Sequence, residues 1–98
     1  MINKDEGQQD AGLADEELDE LVGAVRAAFD VKDRHYGIRR TEYKRCFVGS
    51  EAVQSMIDHQ IAADAQDALT IGNLLANAGI FHHVLDEHAF KNEYLFYR

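Results

Sequence analysis

His82, His83 and His88 form the densest group of side chains in this sequence able to ligate a metal or carry a proton. A structural zinc site takes four such ligands and a catalytic one three. On a strand, adjacent residues point to opposite faces, so only one of His82 and His83 can share a face with His88. The lone cysteine, Cys46, is distant in sequence. The ligand set falls short of a metal site, and these imidazoles are expected to serve as hydrogen-bonding groups. Nucleophilic chemistry is no better supplied. Cys46 lies in the apolar stretch CFV, which favours an inert buried thiol, although Lys44 and Arg45 would lower its pKa were it exposed. Ser50 is placed to cap a helix. The run GSEAV has neither the glycine spacing nor the lysine of a phosphate-binding loop. Acids near the N-terminus read as a solvated helix face rather than a catalytic pair. No catalysis and no cofactor are expected.

Charge is more informative than chemistry. The net charge is −8, but it is unevenly spread. Residues 1–30 hold nine acids against Lys4 and Arg26, whereas the remainder is nearly balanced. Within that remainder Lys32, Arg34, Arg39, Arg40, Lys44 and Arg45 face only Asp33 and Glu42, a local +4 in an acidic protein. Such asymmetry bears on partners rather than on fold.

The elements that carry these residues follow from pattern. With 98 residues the chain forms one domain with a modest core, and thirteen alanines leave its volume to the larger apolar residues after position 18. No apolar run reaches the ~18 residues of a membrane span, and the polar start MINKDEGQQD is not a signal peptide. A single cysteine excludes an internal disulfide and fits a reducing compartment, so a cytoplasmic location is expected. Residues 1–14 read as a disordered acidic tail. Leu18, Leu21, Val22, Val25 and Phe29 then recur at helical spacing, predicting a helix over 15–30 with Asp15 as its N-cap. Residues 31–48 change period and read as a β-hairpin arm with its tip near 37–41. Phe47 and Val48 return the arm to the core, Gly49 permits a sharp turn, and Ser50 caps a second helix with Glu51 at its positive end. Asp64 is placed to cap a third helix and Gly79 to close it, with Ile80 folding back. FHHVL and EYLFYR complete a C-terminal hairpin. Candidate core residues are Phe47, Val53, Ile57, Leu75 and Phe96.

The fold expected from this order is α+β: a winged helix with a three-helix core, a β-hairpin arm between the first two helices, and a C-terminal β-hairpin, all within 15–98. The motifs CFVGSEAV, IGNLLANAGIFHHV and HAFKNEYLFYR, in that order over about residues 18–98, resemble the DEP domain, named in part for Dishevelled and pleckstrin. His83 and His88 fall where that family often has histidine in its hairpin. The chain stops inside the last strand of the pattern, so it is expected to be a module of a longer protein.

The resemblance implies a non-catalytic signalling module that brings its host to membranes or receptors, in some members through a basic surface including the arm. The candidate contacts for a protein partner, anionic lipid or both are therefore Lys32, Arg34, Arg39, Arg40, Lys44 and Arg45, in a monomer peripheral to the membrane. Tyr36 and Ile38 beside the tip would add a small apolar contact. The alternative is a DNA-binding winged helix, but the third helix holds Asp64 and Asp67 and no base, and would repel phosphates.

Overall fold

The computed structural model describes residues 14–98. The tail expected over 1–14 lies outside the described residues but for Ala14. Helix α1 spans Asp15–Ala28 and buries Val25. Leu18, Leu21 and Val22 pack partly buried against the same core. Asp15 is not the cap: Ala14 holds that position in extended geometry. Ala14 has no side-chain acceptor, so Glu17 reaches back from the first turn and accepts the Ala14 N–H at 3.2 Å. The helix stops two residues earlier than its periodicity suggested, because Phe29 is already extended, with its N–H bonded to the Val25 carbonyl.

Strands β1 (Lys32–Tyr36) and β2 (Thr41–Val48) form the arm, joined by a turn over 37–40. Gly37 takes φ +90° and Arg40 φ +55°, and the Arg40 N–H donates to the Gly37 carbonyl. Strand β3 (Phe96–Tyr97) pairs with the other side of β2, giving an antiparallel sheet in the order β1-β2-β3. The register pairs Lys32 with Cys46 but Arg34 with Tyr43, so Asp33 faces both Lys44 and Arg45 in a β-bulge. The extra residue puts Tyr43 and Cys46 on one face, against Val48 and Phe96. Phe47 and Tyr97 point the other way into the helical core.

Strand β2 runs straight into α2 (Gly49–Asp58) with no loop between. Ser50 does not cap this helix. Its first N–H groups are satisfied from elsewhere in the chain, Gly49 donating to the Leu95 carbonyl at 2.8 Å and Ser50 to the Glu93 carbonyl at 3.0 Å. Gly49 is needed for close approach rather than for a left-handed turn: a Cβ there would stand 2.5 Å from the Lys91 carbonyl oxygen and 2.9 Å from the Tyr97 ring.

Helix α3 (Ala65–Asn77) starts and stops on local signals. The Asp64 carboxylate accepts the Asp67 N–H at 2.9 Å, and Asp67 returns a bond to the Ala63 N–H. At the other end Gly79, with φ +80°, donates to Ala76 and Ile80 donates to Leu75. Those are the two bonds of a Schellman motif.

The C-terminal hairpin is shorter than expected. Opposite β3 there is only a bridge at His83, with His82 and Val84 bonded to the Arg98 and Phe96 backbone. The physical reason is the His83 ring. Its Nδ1 accepts the N–H groups of Leu85 (3.2 Å) and Glu87 (3.3 Å), turning the chain where a strand would continue. The expected core residues Phe47, Val53, Leu75 and Phe96 are buried, and Ile57 packs partly buried against them.

Candidate functional site

The six basic residues of the arm do not form one surface. Arg34 turns inward, its side chain only 10% exposed. Nε donates to the Cys46 carbonyl at 3.1 Å, and Nη2 donates to the Asp30 carbonyl at 2.7 Å. Nη2 also lies 3.6 Å from the carboxylates of both Asp30 and Glu51, tying the arm to the start of α2. Lys32 sits 3.4 Å from Asp30, and Lys44 lies 3.5 Å from Glu42 and 3.9 Å from Asp33. Those lysine pairs are exposed and individually weak, but each offsets a charge that would otherwise face a partner.

Arg39 and Arg40 occupy the turn itself, exposed, with no acidic partner among the described residues. Beside them Ile38 is fully exposed. An isoleucine side chain entirely in water, followed directly by two exposed arginines in the turn of the hairpin, gives the tip both an apolar and a cationic group. Tyr36 does not belong to this tip. Its ring packs against Tyr94 at 5.9 Å and Phe96 at 6.1 Å between centroids, on the rim of a groove of about 230 Å³ shared with Tyr43 and His88. Arg45 stands apart as well. The bulge holds it at φ +50°, and it lines a different cleft at the base of the arm, with Arg26 and Arg98. Sequence reading missed those two arginines. They lie far from Arg45 along the chain, and Arg26 stood out only as the lone base among the described residues of α1.

The histidines have structural surroundings. His82 is exposed, with Nδ1 2.7 Å from the Asp86 carboxylate. His83 is buried and its ring meets that of His88 edge-to-face at 4.7 Å. Burial, and after it the neighbouring His88, pushes the His83 pKa down. The neutral tautomer carries its proton on Nε2, since Nδ1 accepts two backbone N–H groups. Among the described residues no group of three or more His, Cys, Asp or Glu side chains is placed to hold a metal ion. Cys46 is buried, its Sγ 3.5 Å from the Tyr43 carbonyl, and desolvation pushes its thiol pKa up despite nearby Arg34. Tyr97 is buried too, but its hydroxyl donates to the Ala89 carbonyl at 2.6 Å and accepts the Lys91 N–H at 3.0 Å. Among the described residues no helix is long and apolar enough to cross a membrane.

Comparison with known proteins agrees with this architecture of three helices and a three-stranded antiparallel sheet. Residues 29–98 match the family described as the domain found in Dishevelled, Egl-10 and Pleckstrin. The mouse phosphatidylinositol 3,4,5-trisphosphate-dependent Rac exchanger 1 protein is 34% identical over 68 residues, covering 69% of this chain and 4% of the exchanger. The mouse lysosomal cholesterol signaling protein is 32% identical over 68 residues, covering 69% of this chain and 8% of that protein. The vacuolar membrane-associated protein IML1 of Candida albicans is 36% identical over 78 residues, covering 71% of this chain and 5% of its own length. The chain thus spans less than a tenth of each of these relatives. With the family match running from the end of α1 through the arm, both later helices and β3, the chain belongs to the DEP domain family.

Proposed function

We propose that this domain is a non-catalytic recruitment module of a larger, cytoplasmic signalling protein, and that the tip of its arm attaches the host to a protein partner or to an anionic membrane. One observation carries the reading: Ile38 is fully exposed between the turn glycine and the exposed Arg39 and Arg40. The remaining candidates play lesser parts at the tip, Lys32, Arg34 and Lys44 being occupied by Asp30, Asp33, Glu42 and Glu51, and Arg45 lining the separate cleft at the base of the arm. The names of the relatives are compatible with this, two referring to signalling or exchange and one to a membrane.

Magnitudes set the strength of attachment. Each cation at an anionic surface contributes on the order of 1 kcal/mol, and burying an isoleucine contributes about 2 kcal/mol. Arg39, Arg40 and Ile38 together therefore reach ~4 kcal/mol, which is binding in the millimolar range. The domain alone does not hold a protein on a bilayer; a second contact in the host or a receptor supplies the rest through effective concentration.

The test is co-sedimentation with phosphatidylserine vesicles at two salt concentrations, comparing wild type with Arg39→Glu/Arg40→Glu and with Ile38→Ser. Weak binding that salt and both variants reduce is expected of a membrane contact. Absence of binding at low salt leaves a protein partner as the target of the tip. Binding that ignores salt and both variants removes the tip from the mechanism.

A further inference from the structure

We infer that the cleft formed by Arg26, Arg45 and Arg98 is a docking site for an acidic peptide segment of a partner protein, one carrying a large apolar side chain beside its carboxylates. The cleft measures about 580 Å³ and opens where the end of α1, the base of β2 and the residues following α3 meet. Phe29, Phe47 and Phe81 contribute to its lining, and no Asp or Glu side chain does. Among the described residues none of the three guanidinium groups pairs with an acid. The chain as a whole has 18 acids for 10 bases, so three arginines on one cleft without an acidic partner are a departure from its own composition, Arg98 Nη1 donating only to the Lys44 carbonyl at 3.5 Å. Guanidinium groups grip carboxylates with two parallel hydrogen bonds, and an aromatic floor of this size takes an apolar side chain.

A second observation points to the same place. Arg45 sits in the left-handed region, φ +50°, where glycine is comfortable and arginine is strained. The bulge that imposes this geometry is fastened by the Asp33 carboxylate, which accepts the Arg45 N–H at 2.9 Å. Bulges re-aim side chains next to functional sites. Here the outcome is an arginine lining the same cleft as Phe47.

Charge decides between a peptide and a bilayer. Helix α1, which contributes Arg26, also exposes Asp15, Glu16, Glu17, Asp19 and Glu20. A flat anionic surface broad enough to meet the cleft faces that acidic helix as well, whereas a short peptide meets only the cleft. The site is also separate from the arm tip, since the five steps along the chain from Arg40 to Arg45 cover about 17 Å at the rise of a strand.

The experiment is fluorescence anisotropy with a labelled five-residue peptide holding two acidic residues on each side of a tryptophan, alongside an analogue with lysine in place of each acid. Saturable binding at about 10–100 μM in low salt is expected, with backbone amide shifts at Ile80 and Phe81. Arg26→Gln and Arg45→Gly each weaken it about tenfold, the loss of one charge-assisted pair, while Arg39→Glu/Arg40→Glu leaves it unchanged. Arg45→Gly relaxes the backbone and stays folded, so its lost binding is not lost structure; a thermal melt confirms this. No saturation by about 1 mM, equal binding of the lysine analogue, or indifference to both cleft variants overturns the proposal. So does phosphatidylserine vesicle binding that the cleft variants abolish when the peptide itself does not bind, which reassigns the cleft to a membrane.

Discussion

Asn73 on α3 treats Phe90 as though it were the next strand of a sheet. Its Oδ1 accepts the Phe90 N–H at 3.0 Å and its Nδ2 donates to the Phe90 carbonyl at 3.0 Å. One residue earlier, Gly72 leaves room for the Phe90 ring, which a Cβ at that position would overlap. A side-chain amide and a missing side chain together fasten the C-terminal loop to the helix. Asn73→Ala strands both backbone groups of Phe90 and is expected to cost about 2–3 kcal/mol, read as a lower urea midpoint at unchanged slope. Asn73→Ala with no change in midpoint removes this clamp from the account.

Gly49 and Gly79 separate two reasons for being glycine. Gly49 is crowded by the Lys91 carbonyl and the Tyr97 ring, while Gly79 has open space around it but φ +80°. Gly79→Ala is expected to cost about 1 kcal/mol of left-handed strain. Gly49→Ala forces backbone apart and is expected to cost ~3 kcal/mol. Equal midpoint shifts for the two variants in denaturant titrations contradict the distinction.

Acid should loosen the C-terminal loop through His83. Its folded pKa is lowered below 6.5 by burial and by His88, against the smaller raising effect of Glu87 and Asp86. The unfolded chain therefore takes up the proton first. Stability is full above about pH 6.5 and declines as pH falls from there toward the lowered folded value, where the loss levels off. Protonation also removes the acceptor for the Leu85 and Glu87 N–H groups. Urea unfolding at several pH values between 7.5 and 5, for wild type and His83→Gln, checks this; a slope that survives the substitution assigns the effect elsewhere.

Arg34 is expected to behave as a structural residue although it belongs to the basic arm. Arg34→Ala removes the Nε donor to the Cys46 carbonyl and leaves Glu51 without this ion pair, at about 2 kcal/mol. Arg34→Lys does not restore it, because one ammonium cannot reproduce the guanidinium fork. Charge changes at Arg39 and Arg40 should leave the same melting curve unmoved.

What local rules control was legible in the sequence. The apolar spacing of α1, the Asp64 cap and the Gly79 stop each depend on neighbours a few residues away. Ser50 looked like a cap by the same rules, but the N-terminus of α2 is served by Glu93 and Leu95, some forty residues downstream. The hairpin strand expected around His83 was shortened by a ring acting as a backbone acceptor, which no propensity records. The basic arm was visible as charge. Its division into paired, tip and cleft residues was not, since that depends on a one-residue bulge and on where Asp30, Glu51, Arg26 and Arg98 come to lie.

The capping of α2 by Glu93 and Leu95 has a kinetic consequence. The second helix follows β2 without a loop, so its first turn has no local device to start it, and its donors wait for carbonyls some forty residues downstream. Residues 93–97 also supply the partner strand of β2 and the Tyr97 ring against Gly49. These are contacts of long sequence separation, which slow folding because the loop must close before they contribute. The start of α2 is therefore expected to form only after residues 93–97 have been made and have docked beside β2.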